Sequence, residues 1–332
     1  MILPDKFKSK NVLITGGAGF IGSNVAIKLV ELGANVTVID SLIPDYGGNL
    51  FNLEPIKDKI KLNISDVRDE YSMKYLIKDQ DYLFNLAGQT SHLDSMTNPY
   101  SDLEINAKAQ LSILESCRRY NNNIKIVFAS TRQIYGKPQY LPVDEKHPLY
   151  PVDVNGINKM AGEWYHIVYN NVYNIKSVVL RLTNTYGPRM RVKDARQTFL
   201  GIWIRITVEK KKILVFGDGK QIRDFNYVDD VVNAFLLAAQ SDDANGMIFN
   251  LGADDPISLI DTANLIKEIS SNVQYELIPF PPDRKAIDIG DYYADYRMIR
   301  SKLGWQPKVS LKEGLTRTIG YYSKFSSYYW ED

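Results

Sequence analysis

An amide and an ammonium group stand four residues apart near the middle of the chain. The segment DVNGINKM, residues 153–160, contains Asn155 and Lys159, and the helix-friendly stretch MAGEWYHIVY begins at its last residue. Residues four apart share one face of a helix, so both side chains could meet the same bound molecule. An amide cannot take up a proton at neutral pH, so Asn155 could orient a water or a substrate but could not act as a base. The pair is therefore the remains of an active site, a working variant of one, or a solvated helix start.

A glycine-rich turn near the amino terminus has the spacing of a dinucleotide-binding turn. The segment TGGAGFIG, residues 15–22, follows a predicted strand and opens a predicted helix. Its first glycine makes the tight turn, its second lets the backbone approach a pyrophosphate, and its third lets the helix pack on the strand. The helix amino terminus then faces the phosphates with its positive end. A tight strand-to-helix turn without a ligand is the alternative. The residues of this turn that we expect to contact a dinucleotide are Gly16, Gly19, Phe20, Ile21 and Gly22.

Acidic and small residues follow the next strands at the positions that a dinucleotide requires. Asp40 ends the second predicted strand, where it can accept both ribose hydroxyls of NAD and would repel the 2′-phosphate of NADP, so the predicted cofactor is NAD. Asp66 and Val67 follow the third strand and could bracket an adenine edge, although Asp66 could equally belong to a helix N-cap. Leu86 and Ala87, in the segment NLAG, are expected to line the cofactor cleft, mainly through their backbone.

Short apolar runs alternate with longer amphipathic runs along the chain. This alternation predicts an α/β fold, with a doubly wound parallel sheet that has helices on both faces. The predicted strands are 11–15, 35–40, 60–63, 82–87, 124–130, 176–182, 212–217 and 248–252. The predicted helices are 20–33, 100–119, 155–170 and 227–240, and the tail 256–325 mixes helices with short strands.

Composition limits the classes of partner. The chain has 332 residues, 45% of them hydrophobic, which is enough for a large core. Its 40 basic and 39 acidic residues give a net charge of +1 without long runs of one sign, so we expect neither nucleic acid nor a membrane surface as a partner. Cys117 is the only cysteine, and the opening MILPDKFKSK has no apolar signal region. We therefore expect a cytoplasmic protein without disulfides, and the sequence has no metal-spaced Cys/His cluster.

An ordered set of motifs resembles one superfamily nearly from end to end. The set resembles the extended short-chain dehydrogenase/reductases, specifically the NAD-dependent sugar-nucleotide epimerases and dehydratases. The resemblance is carried by TGGAGFIG (15–22), DVRD (66–69), NLAG (85–88), STRQIYG (130–136), RLTNTYGP (181–188), RDFNYVDD (223–230), GDYYAD (290–295) and LGWQP (303–307).

The resemblance implies two domains that bind different ligands. A Rossmann domain, residues 1–188 and about 225–255, would hold NAD, and a smaller mixed α/β domain, 189–224 and 256–332, would hold a nucleoside-diphosphate sugar. It further implies that NAD stays bound and is recycled, because the sugar transfers a hydride to NAD to become a keto-sugar and NADH then returns the hydride to the sugar. The helices at 100–118 and 155–170 match those of the family's homodimer contact, with apolar residues such as Leu103, Leu111 and Trp164; packing within one subunit would explain them nearly as well.

The catalytic residues of this family are a Ser or Thr, a Tyr and a Lys. Thr131 matches the first and would hydrogen-bond the reacting oxygen. Lys159 matches the last, and its ammonium would bind the nicotinamide ribose and lower the pKa of a neighbouring acid–base group. Asn155 stands where the family has Tyr. Three interpretations follow: another residue replaces the tyrosine as the base, the reaction depends less on a base, or the site binds a ligand without reacting. The intact cofactor motif favours a working enzyme.

Four side chains could replace the missing base. Tyr135 matches a family tyrosine that is usually structural, and His92 lies in the segment GQTSHLD, where the family's substrate loop runs. Asp94 and Tyr150 are weaker candidates, and Asp153 could simply cap the following helix. A lone loop histidine is more often a surface or capping residue than a catalytic one.

The residues after Thr131 distinguish between reactions. Sugar-nucleotide 4,6-dehydratases have Asp-Glu there, as acid and base for the elimination of water, whereas this chain has Arg132 and Gln133. Neither can shuttle that proton, so 4,6-dehydration is disfavoured. Arg132 could form a two-pronged pair with an anionic sugar group such as a hexuronate carboxylate. A structural salt bridge is the alternative.

Further positions match those with which the family binds the substrate diphosphate. Asn184 in RLTNTYGP would hydrogen-bond the diphosphate region, and Arg223 and Arg284 would clamp the two phosphates with forked guanidinium donors. The segment Leu214-Val215-Phe216, in a short strand, could run beside the nucleobase, and Val215 is the residue that we expect to contact it. Each arginine by itself could instead be an ion-pair partner at the surface.

Three functions remain open from the sequence. The first is an NAD-dependent sugar-nucleotide epimerase that acts through a transient keto-sugar. The second is a nucleotide-sugar decarboxylase or dehydratase that uses the same transient oxidation. The third is a nucleotide-sugar or NAD-binding protein without turnover, for which Asn155 is the main argument.

Overall fold

The computed structural model describes residues 2–330 as alternating strands and helices. The strands are β1 (Asn11–Thr15), β2 (Asn35–Asp40), β3 (Ile60–Ile64), β4 (Tyr82–Asn85), β5 (Lys125–Thr131), β6 (Ser177–Leu182), β7 (Asn184–Tyr186), β8 (Ile213–Phe216), β9 (Ile222–Arg223), β10 (Phe225–Tyr227), β11 (Ile248–Asn250), β12 (Ile257–Ser258) and β13 (Tyr275–Ile278).

Twelve α-helices connect or follow these strands in the described part of the chain. They are α1 (Phe20–Glu31), α2 (Glu70–Leu76), α3 (His92–Thr97), α4 (Pro99–Leu103), α5 (Ala109–Tyr120), α6 (Val154–Tyr173), α7 (Phe199–Val208), α8 (Val228–Gln240), α9 (Leu259–Ile269), α10 (Pro282–Ala286), α11 (Arg297–Leu303) and α12 (Leu311–Phe325). A π-helical turn, Glu104–Lys108, joins α4 to α5, and a 3₁₀ turn, Arg132–Tyr135, follows β5.

Seven strands form one parallel sheet at the centre of the molecule. Their order is β11-β6-β5-β4-β1-β2-β3, and every neighbouring pair is parallel. The direction of winding reverses between β1 and β4, so a crevice opens at the carboxyl ends of these two strands. The predicted doubly wound Rossmann fold is confirmed.

The two faces of the sheet are covered by different helices, which explains the continuous apolar runs of its central strands. Successive residues of β1 point to opposite faces: Val12 and Ile14 pack in the cluster that contains α1 and α8, whereas Leu13 packs in the cluster that contains α5. All three side chains are fully buried. Because both faces are covered, a polar residue within β1 would be buried without solvent on either side.

The remaining strands form three small pairs outside the main sheet. β7 pairs with β10 and β8 with β13 in parallel, while β9 pairs with β12 antiparallel. Helix α12 packs against α7 and α9 in this part of the chain. β11 lies in the predicted segment 225–255 and joins the main sheet beside β6. The division into a cofactor domain and a substrate domain stays a prediction.

One predicted helix differs from the observed structure in its interior. The pattern at 100–119 predicts a single helix, but Glu104–Lys108 form a π-helical turn between α4 and α5. The side chain of Gln110 donates from Nε2 to the carbonyl oxygen of Ile105, five residues back, and so satisfies a carbonyl in this turn. Periodicity alone does not reveal this insertion, because the apolar face continues on both sides of it.

Candidate functional site

One large cleft of about 760 Å³ lies at the carboxyl ends of the central strands. Its wall includes the glycine-rich turn after β1, the ends of β4 and β5, and the first turns of α6. The opposite wall is formed by residues of α7, β8 and α10. Ligands of open α/β sheets bind in this position, because the loops that follow the strand ends converge there.

The glycine turn leaves no room for side chains at its two ends. Gly16 has φ +66, and a Cβ added to it would lie 2.9 Å from the backbone of Ala87. A Cβ on Gly22 would lie 2.2 Å from the carbonyl oxygen of Gly16. Gly19 is the N-cap of α1, and no side chain caps this helix. The start of α1 is therefore a backbone cradle whose first N–H groups have no side-chain cap, which fits a pyrophosphate.

The carboxylate of Asp40 closes this cradle from the second strand. Its Oδ2 accepts from Ala18 N at 3.0 Å and its Oδ1 accepts from Leu42 N at 2.9 Å. Burial raises the pKa of Asp40, although the backbone hydrogen bonds oppose the shift. Each carboxylate oxygen has a second lone pair, so the group can still accept from a diol in the cleft. Asp40 thus fits the ribose of a dinucleotide.

The predicted adenine and strand-end residues also line the cleft. Asp66 pairs with Arg68 at 2.7 Å, and the N-cap of α2 is Asp69, so the alternative reading of Asp66 as the helix cap is wrong. The backbone N–H groups of Leu86 and Ala87 donate to Thr15 Oγ1 at 3.0 and 3.2 Å. Val67, Leu86 and Ala87 form part of the cleft wall.

The three predicted catalytic residues line the same cleft. Thr131 ends β5, and its Oγ1 accepts from Gln133 N at 3.2 Å. Lys159 is buried and donates from Nζ to the carbonyl oxygen of Ala129 at 3.2 Å. Burial lowers the pKa of Lys159 to about 8, while Asp102 opposes the shift. The third residue, Asn155, is also buried at the cleft wall.

The amide of Asn155 holds a buried carboxylate that sequence reasoning missed. Its Nδ2 donates to Asp102 Oδ2 at 3.0 Å and to the carbonyl oxygen of Gln89 at 2.8 Å. Asn158 donates to the other oxygen of Asp102 at 2.8 Å. Two amides thus satisfy one fully buried carboxylate. No local sequence pattern could have paired Asp102 with a residue 53 positions away.

The π-helical turn contributes a second missed residue, Asn106. Its Nδ2 donates to the carbonyl oxygen of Gln89 at 2.9 Å, and its Oδ1 is buried without a hydrogen-bond partner. A Cβ added to Gly88 would lie 2.9 Å from both Asn106 Oδ1 and Lys159 Nζ. The unused acceptor therefore lies in the neighbourhood of the Lys159 ammonium.

The four candidates for the missing base occupy different environments. Tyr135 is fully buried, its hydroxyl lies between Arg181 and Asn250, and burial raises its pKa well above its ordinary value. Tyr150 is 64% exposed and does not line the cleft. His92 and Asp94 do line it. Tyr135 and Tyr150 are therefore unsuited to take a proton from a molecule in the cleft.

Asp94 is itself engaged in an ion pair, and Asp153 is a helix cap. Arg196 Nε lies 2.9 Å from Asp94 Oδ2, on the cleft wall. Asp153 Oδ1 accepts from Gly156 N at 2.7 Å and so caps α6, as the sequence suggests. Its other oxygen accepts from Gln133 Nε2 at 2.7 Å.

The Arg132 guanidinium has no carboxylate partner in the part of the chain that the structure describes. It lines the cleft, its Nε is buried without a hydrogen-bond partner, and its Cζ lies 5.7 Å from the centre of the Tyr292 ring. Burial lowers its pKa, with nearby carboxylates such as Asp224 opposing the shift. The alternative interpretation of Arg132 as half of a structural salt bridge is therefore wrong. An unpaired guanidinium in a cleft is suited to bind an anion.

Two of the predicted phosphate ligands line the far end of the cleft and are held by backbone carbonyls. Arg223 Nη1 donates to the carbonyl oxygens of Ile222 at 2.8 Å and Gly290 at 2.5 Å. Burial, together with the nearby Arg132, lowers the pKa of Arg223 to about 10. Asn184 donates from Nδ2 to the carbonyl oxygen of Asp224 at 3.0 Å.

At the same end, Arg284 extends over the Phe216 ring, with its Cζ 5.7 Å from the ring centre. Val215 departs from its predicted role. Its side chain is fully buried in the core, whereas its neighbours Leu214 and Phe216 line the cleft. Side chains alternate along a strand, so Val215 could reach a nucleobase only through its backbone.

The fold and the cleft together define a dinucleotide-dependent enzyme of the sugar-nucleotide class, and comparison with known proteins agrees. The family model described as GDP-mannose 4,6 dehydratase matches residues 13–318. The chain belongs to the extended short-chain dehydrogenase/reductase superfamily, among its NAD-dependent sugar-nucleotide epimerases and dehydratases. The resemblance and the enzyme class predicted from the sequence are confirmed.

Three relatives illustrate the range of this family. UDP-glucuronic acid decarboxylase 1 of Xenopus tropicalis is 31% identical over 97% of this chain and 75% of its own length. UDP-glucose 4-epimerase of Thermotoga maritima, solved with UDP-glucose, is 33% identical with a TM-score of 0.85, over 95% of this chain and 99% of that one. UDP-glucose 4-epimerase of Thermus thermophilus, solved with NAD, is 29% identical with a TM-score of 0.83, over 94% and 98%. NAD is thus the cofactor of this family, as predicted.

The described residues contain neither a membrane-spanning helix nor a cluster of metal ligands. Among residues 2–330, no helix has the length and apolar character needed to cross a bilayer. Within the same residues, no group of three or more His, Cys, Asp and Glu side chains is arranged to hold a metal ion.

Proposed function

We propose that the chain is an NAD-dependent sugar-nucleotide epimerase that acts through a transient keto-sugar and recycles its NAD. The observation that carries this proposal is the meeting of three residue sets in one cleft. These sets are the bare glycine turn with Asp40, the pair Thr131 and Lys159, and the arginines at the far end. A relative solved with NAD and another solved with UDP-glucose support the same arrangement.

The cofactor would lie along the strand ends from the glycine turn to α6. Bound NAD supplies a hydride acceptor that oxidises an alcohol carbon reversibly. The ammonium of Lys159 would bind the nicotinamide ribose, and Thr131 would hydrogen-bond the reacting oxygen of the sugar. The dinucleotide contacts that we propose are Gly16, Gly19, Phe20, Ile21, Gly22, Asp40, Asp66, Val67, Leu86, Ala87 and Lys159.

The nucleoside diphosphate would lie at the opposite end. Arg223 and Arg284 would bind its phosphates, with Asn184 as a further donor and the backbone of Val215 beside the base. This placement leaves the sugar between Arg132 and the pair Thr131 and Lys159. Asn155 would orient the sugar or a water, since its amide cannot exchange protons.

Proton NMR in deuterated water tests the proposed reaction. The purified protein would be incubated with UDP-glucose, UDP-glucuronic acid and GDP-mannose in turn. We expect inversion of one carbon without net reduction of NAD. The inverted carbon should keep its protium, because a hydride that returns from nicotinamide does not exchange with solvent. Deuterium on that carbon would contradict a hydride mechanism, and the absence of inversion with every sugar would contradict epimerisation of these substrates.

A second candidate is the decarboxylation of a nucleotide-activated uronic acid, and the unpaired Arg132 favours it. A guanidinium without a carboxylate partner would bind the carboxylate of such a sugar. The Xenopus tropicalis relative is a UDP-glucuronic acid decarboxylase. Release of carbon dioxide from UDP-glucuronic acid would establish this reaction, whereas inversion with retention of the carboxylate would favour a uronic-acid epimerase.

The substitution Arg132→Gln tests whether Arg132 binds such an anion. We expect KM for UDP-glucuronic acid to rise about tenfold or more, since charge-assisted hydrogen bonds contribute about 1.5–3 kcal/mol. KM for UDP-glucose should change little. The control is Arg119→Gln, because Arg119 is an exposed α5 residue that pairs with Glu115 outside the cleft. Equal effects on both sugars would assign Arg132 to the diphosphate instead.

The third candidate, a binding protein without turnover, rests on Asn155 alone. Tight binding of nucleotide sugars without any product would support it. Buried Lys159 and half-buried Thr131 line the same cleft, and these two residues match the Lys and the Ser or Thr of the family's catalytic set, which favours turnover.

We also propose that the protein is a cytoplasmic homodimer. Exposed apolar side chains recur on one face of α6, where Trp164, Val168 and Val172 are 47%, 47% and 64% exposed, and Leu103 of α4 is 46% exposed. Leu111 is instead half-buried and packs against the core. Light scattering would give the mass of the assembly, and Val168→Glu should yield monomers. The control, Tyr71→Glu on the exposed surface of α2, should leave the mass unchanged.

A further inference from the structure

We propose that His92 is the acid–base residue of this site and that Asp153 is its positioning residue. This proposal rests on the proposed function, because it supplies the proton acceptor that Asn155 cannot be. His92 is the first residue of α3, and Asp153 is the N-cap of α6. The two residues are 61 positions apart in sequence and meet at the cleft.

The two nitrogens of His92 have different surroundings. Nδ1 is buried, lies 3.0 Å from Asp153 Oδ2, which is ion-pair distance, and makes no aligned hydrogen bond within residues 2–330. The rest of the side chain is 34% exposed and lines the cleft. A carboxylate beside Nδ1 favours the tautomer with the proton on Nδ1. Nε2 then keeps its lone pair and is the nitrogen that a molecule in the cleft can reach.

Asp153 is held in the orientation that this pairing needs. Its Oδ1 accepts from Gly156 N at 2.7 Å, so the helix cap fixes the carboxylate. Its Oδ2 accepts from Gln133 Nε2 at 2.7 Å on the side that faces His92. Burial alone would raise the pKa of Asp153, but the nearby His92, together with hydrogen bonds from Gly156 and Gln133, outweighs burial and lowers the pKa. The carboxylate is therefore ionised next to the imidazole.

A short chain of contacts links this pair to the predicted reaction centre. Thr131 Oγ1 accepts from Gln133 N, and the side chain of Gln133 donates to Asp153. The backbone N–H of Asn155, two residues after Asp153, donates to Ser95 Oγ at 3.2 Å and joins α6 to α3. His92 is thus connected to Thr131 through Asp153 and Gln133, and α3 is joined to α6 through Ser95.

The other titratable groups near the site are less suited to take the proton. Of the three histidines in the chain, His147 and His166 are buried and hydrogen-bonded, and neither lines the cleft. Lys159 is committed to the carbonyl of Ala129, and the tyrosine that follows Thr131, Tyr135, points into the core.

The step balances with the cofactor of this family as oxidant. One sugar hydroxyl gives its proton to His92 Nε2, and the carbon that bears it loses a hydride, with both electrons of the C–H bond, to oxidised nicotinamide. A C=O bond forms, and Asp153 stabilises the imidazolium. The hydride returns to the other face of the carbon and the proton returns from His92, so nothing is consumed.

The first arm of the test compares variants in the epimerisation assay. His92→Ala should lower kcat about 100-fold or more, which is the lower end of general acid–base contributions. NAD and UDP affinities should stay within about twofold. Added imidazole should restore part of the activity of His92→Ala, which a purely structural histidine would not allow. A kcat within about threefold of the original protein would overturn the proposal.

Asp153→Asn isolates the positioning role. Asn caps a helix about as well as Asp, so α6 should keep its stability. Its amide would donate to Nδ1 and hold the proton of His92 on Nε2, where the ring can no longer accept one. We expect kcat to fall roughly tenfold or more with little change in KM. Asp69→Asn makes the same exchange at the cap of α2 and should leave kcat unchanged.

The second arm does not depend on turnover. Nitrogen-15 NMR of the imidazoles reports which nitrogen of His92 carries the proton, and His92→Gln assigns its signals. We expect the Nδ1–H form in the original protein, the Nε2–H form in Asp153→Asn, and a shift of the His92 signals when UDP-glucose is added to the NAD-loaded protein. If no sugar turns over, the proposed function fails, but this arm still shows whether Asp153 sets the tautomer of His92. The inference is overturned if the tautomer of His92 is the same in the original protein and in Asp153→Asn. It is also overturned if the His92 signals do not shift when UDP-glucose or UDP-glucuronic acid is added.

Discussion

Helices α1 and α6 both begin at the wall of the cleft, but their first turns are satisfied in opposite ways. At the start of α1, the N-cap is Gly19, and no side chain accepts from the first N–H groups. At the start of α6, Asp153 caps the helix through Oδ1 and uses Oδ2 for Gln133, beside His92. One start is bare backbone, and the other is covered by a carboxylate.

Because of this difference, the amino termini of α1 and α6 are suited to different kinds of ligand. Unsatisfied N–H groups at a helix amino terminus attract an anion, so the bare start of α1 fits the pyrophosphate. The start of α6 is less suited to an anion, because the Asp153 carboxylate accepts from Gly156 N and Ser95 Oγ accepts from Asn155 N. It offers instead a fixed negative charge that can orient an imidazole. In the proposed function, the cofactor half of the cleft therefore depends on the absence of side chains, and the catalytic half depends on particular side chains.

The largest expected effect comes from adding one methyl group to the bare start. Gly22→Ala would place Cβ 2.2 Å from the carbonyl oxygen of Gly16, so the turn must open. We expect NAD affinity to fall at least about 100-fold, or about 3 kcal/mol, as measured by calorimetry. Gly320→Ala in α12 is the matched control, because nothing lies within 4 Å of its Cβ. It should bind NAD normally and be slightly more stable. Normal NAD binding by Gly22→Ala would contradict the role of the bare turn.

A smaller effect is expected from removing the buried charge of α6. The pKa of Lys159 is about 8 in the fold, below its ordinary value of 10.5, so the unfolded chain binds more protons between these pH values. The stability of the protein should therefore rise with pH in this window, and the penalty for burying the ammonium is fully present below pH 8. At pH 7, Lys159→Met should have a free energy of unfolding about 1–3 kcal/mol higher than the original protein. Its free energy of unfolding should depend less on pH, and its turnover should be abolished.

Urea unfolding of the apo protein at pH 7 and pH 9.5 measures both quantities. A Lys159→Met variant that is less stable than the original protein at pH 7 would show that the hydrogen bond to Ala129 outweighs desolvation. An unchanged pH profile would show that the ammonium is not desolvated in solution.

The smallest expected effect is a difference in KM between variants of two amides that donate to the same carboxylate. Asn155→Ala and Asn158→Ala each remove one donor from buried Asp102, so both should cost about 1–3 kcal/mol of stability. Only Asn155 lines the cleft, so only its substitution should change KM for the nucleotide sugar. Thermal unfolding and steady-state kinetics measure the two effects. Equal kinetic changes in both variants would mean that Asn155 acts only through Asp102.

Substitution of Asn155 by the family's tyrosine sharpens the same comparison. Asn155→Tyr leaves Asp102 with one donor fewer and adds a phenol at the wall of the cleft that His92 also lines, so we expect altered rather than simply improved chemistry. A large gain in 4-epimerisation of UDP-glucose would indicate that the site is a degraded form of the family's ordinary one.

Much of the fold could be predicted because its signals are local. The strand NVLIT and the glycines after it specify a buried strand and a tight turn within a dozen residues, and both are observed. The π-helical turn at Glu104–Lys108 was not predictable, since the apolar periodicity passes through it. Val215 was misplaced because a strand puts neighbouring side chains on opposite faces, and only the packed structure fixes which face meets the cleft.

The sequence by itself determined the Rossmann sheet, the bare turn for a dinucleotide, and the absence of a tyrosine at residue 155. These follow from spacing within short segments, where the backbone geometry of a strand or helix sets the outcome. Only the tertiary structure decided that Arg132 has no carboxylate partner among residues 2–330, that Asn155 binds Asp102, and that His92 lies beside Asp153. Such pairs depend on how elements distant in sequence pack together, because a side chain is satisfied or left free by whatever its neighbours bring within about 3 Å.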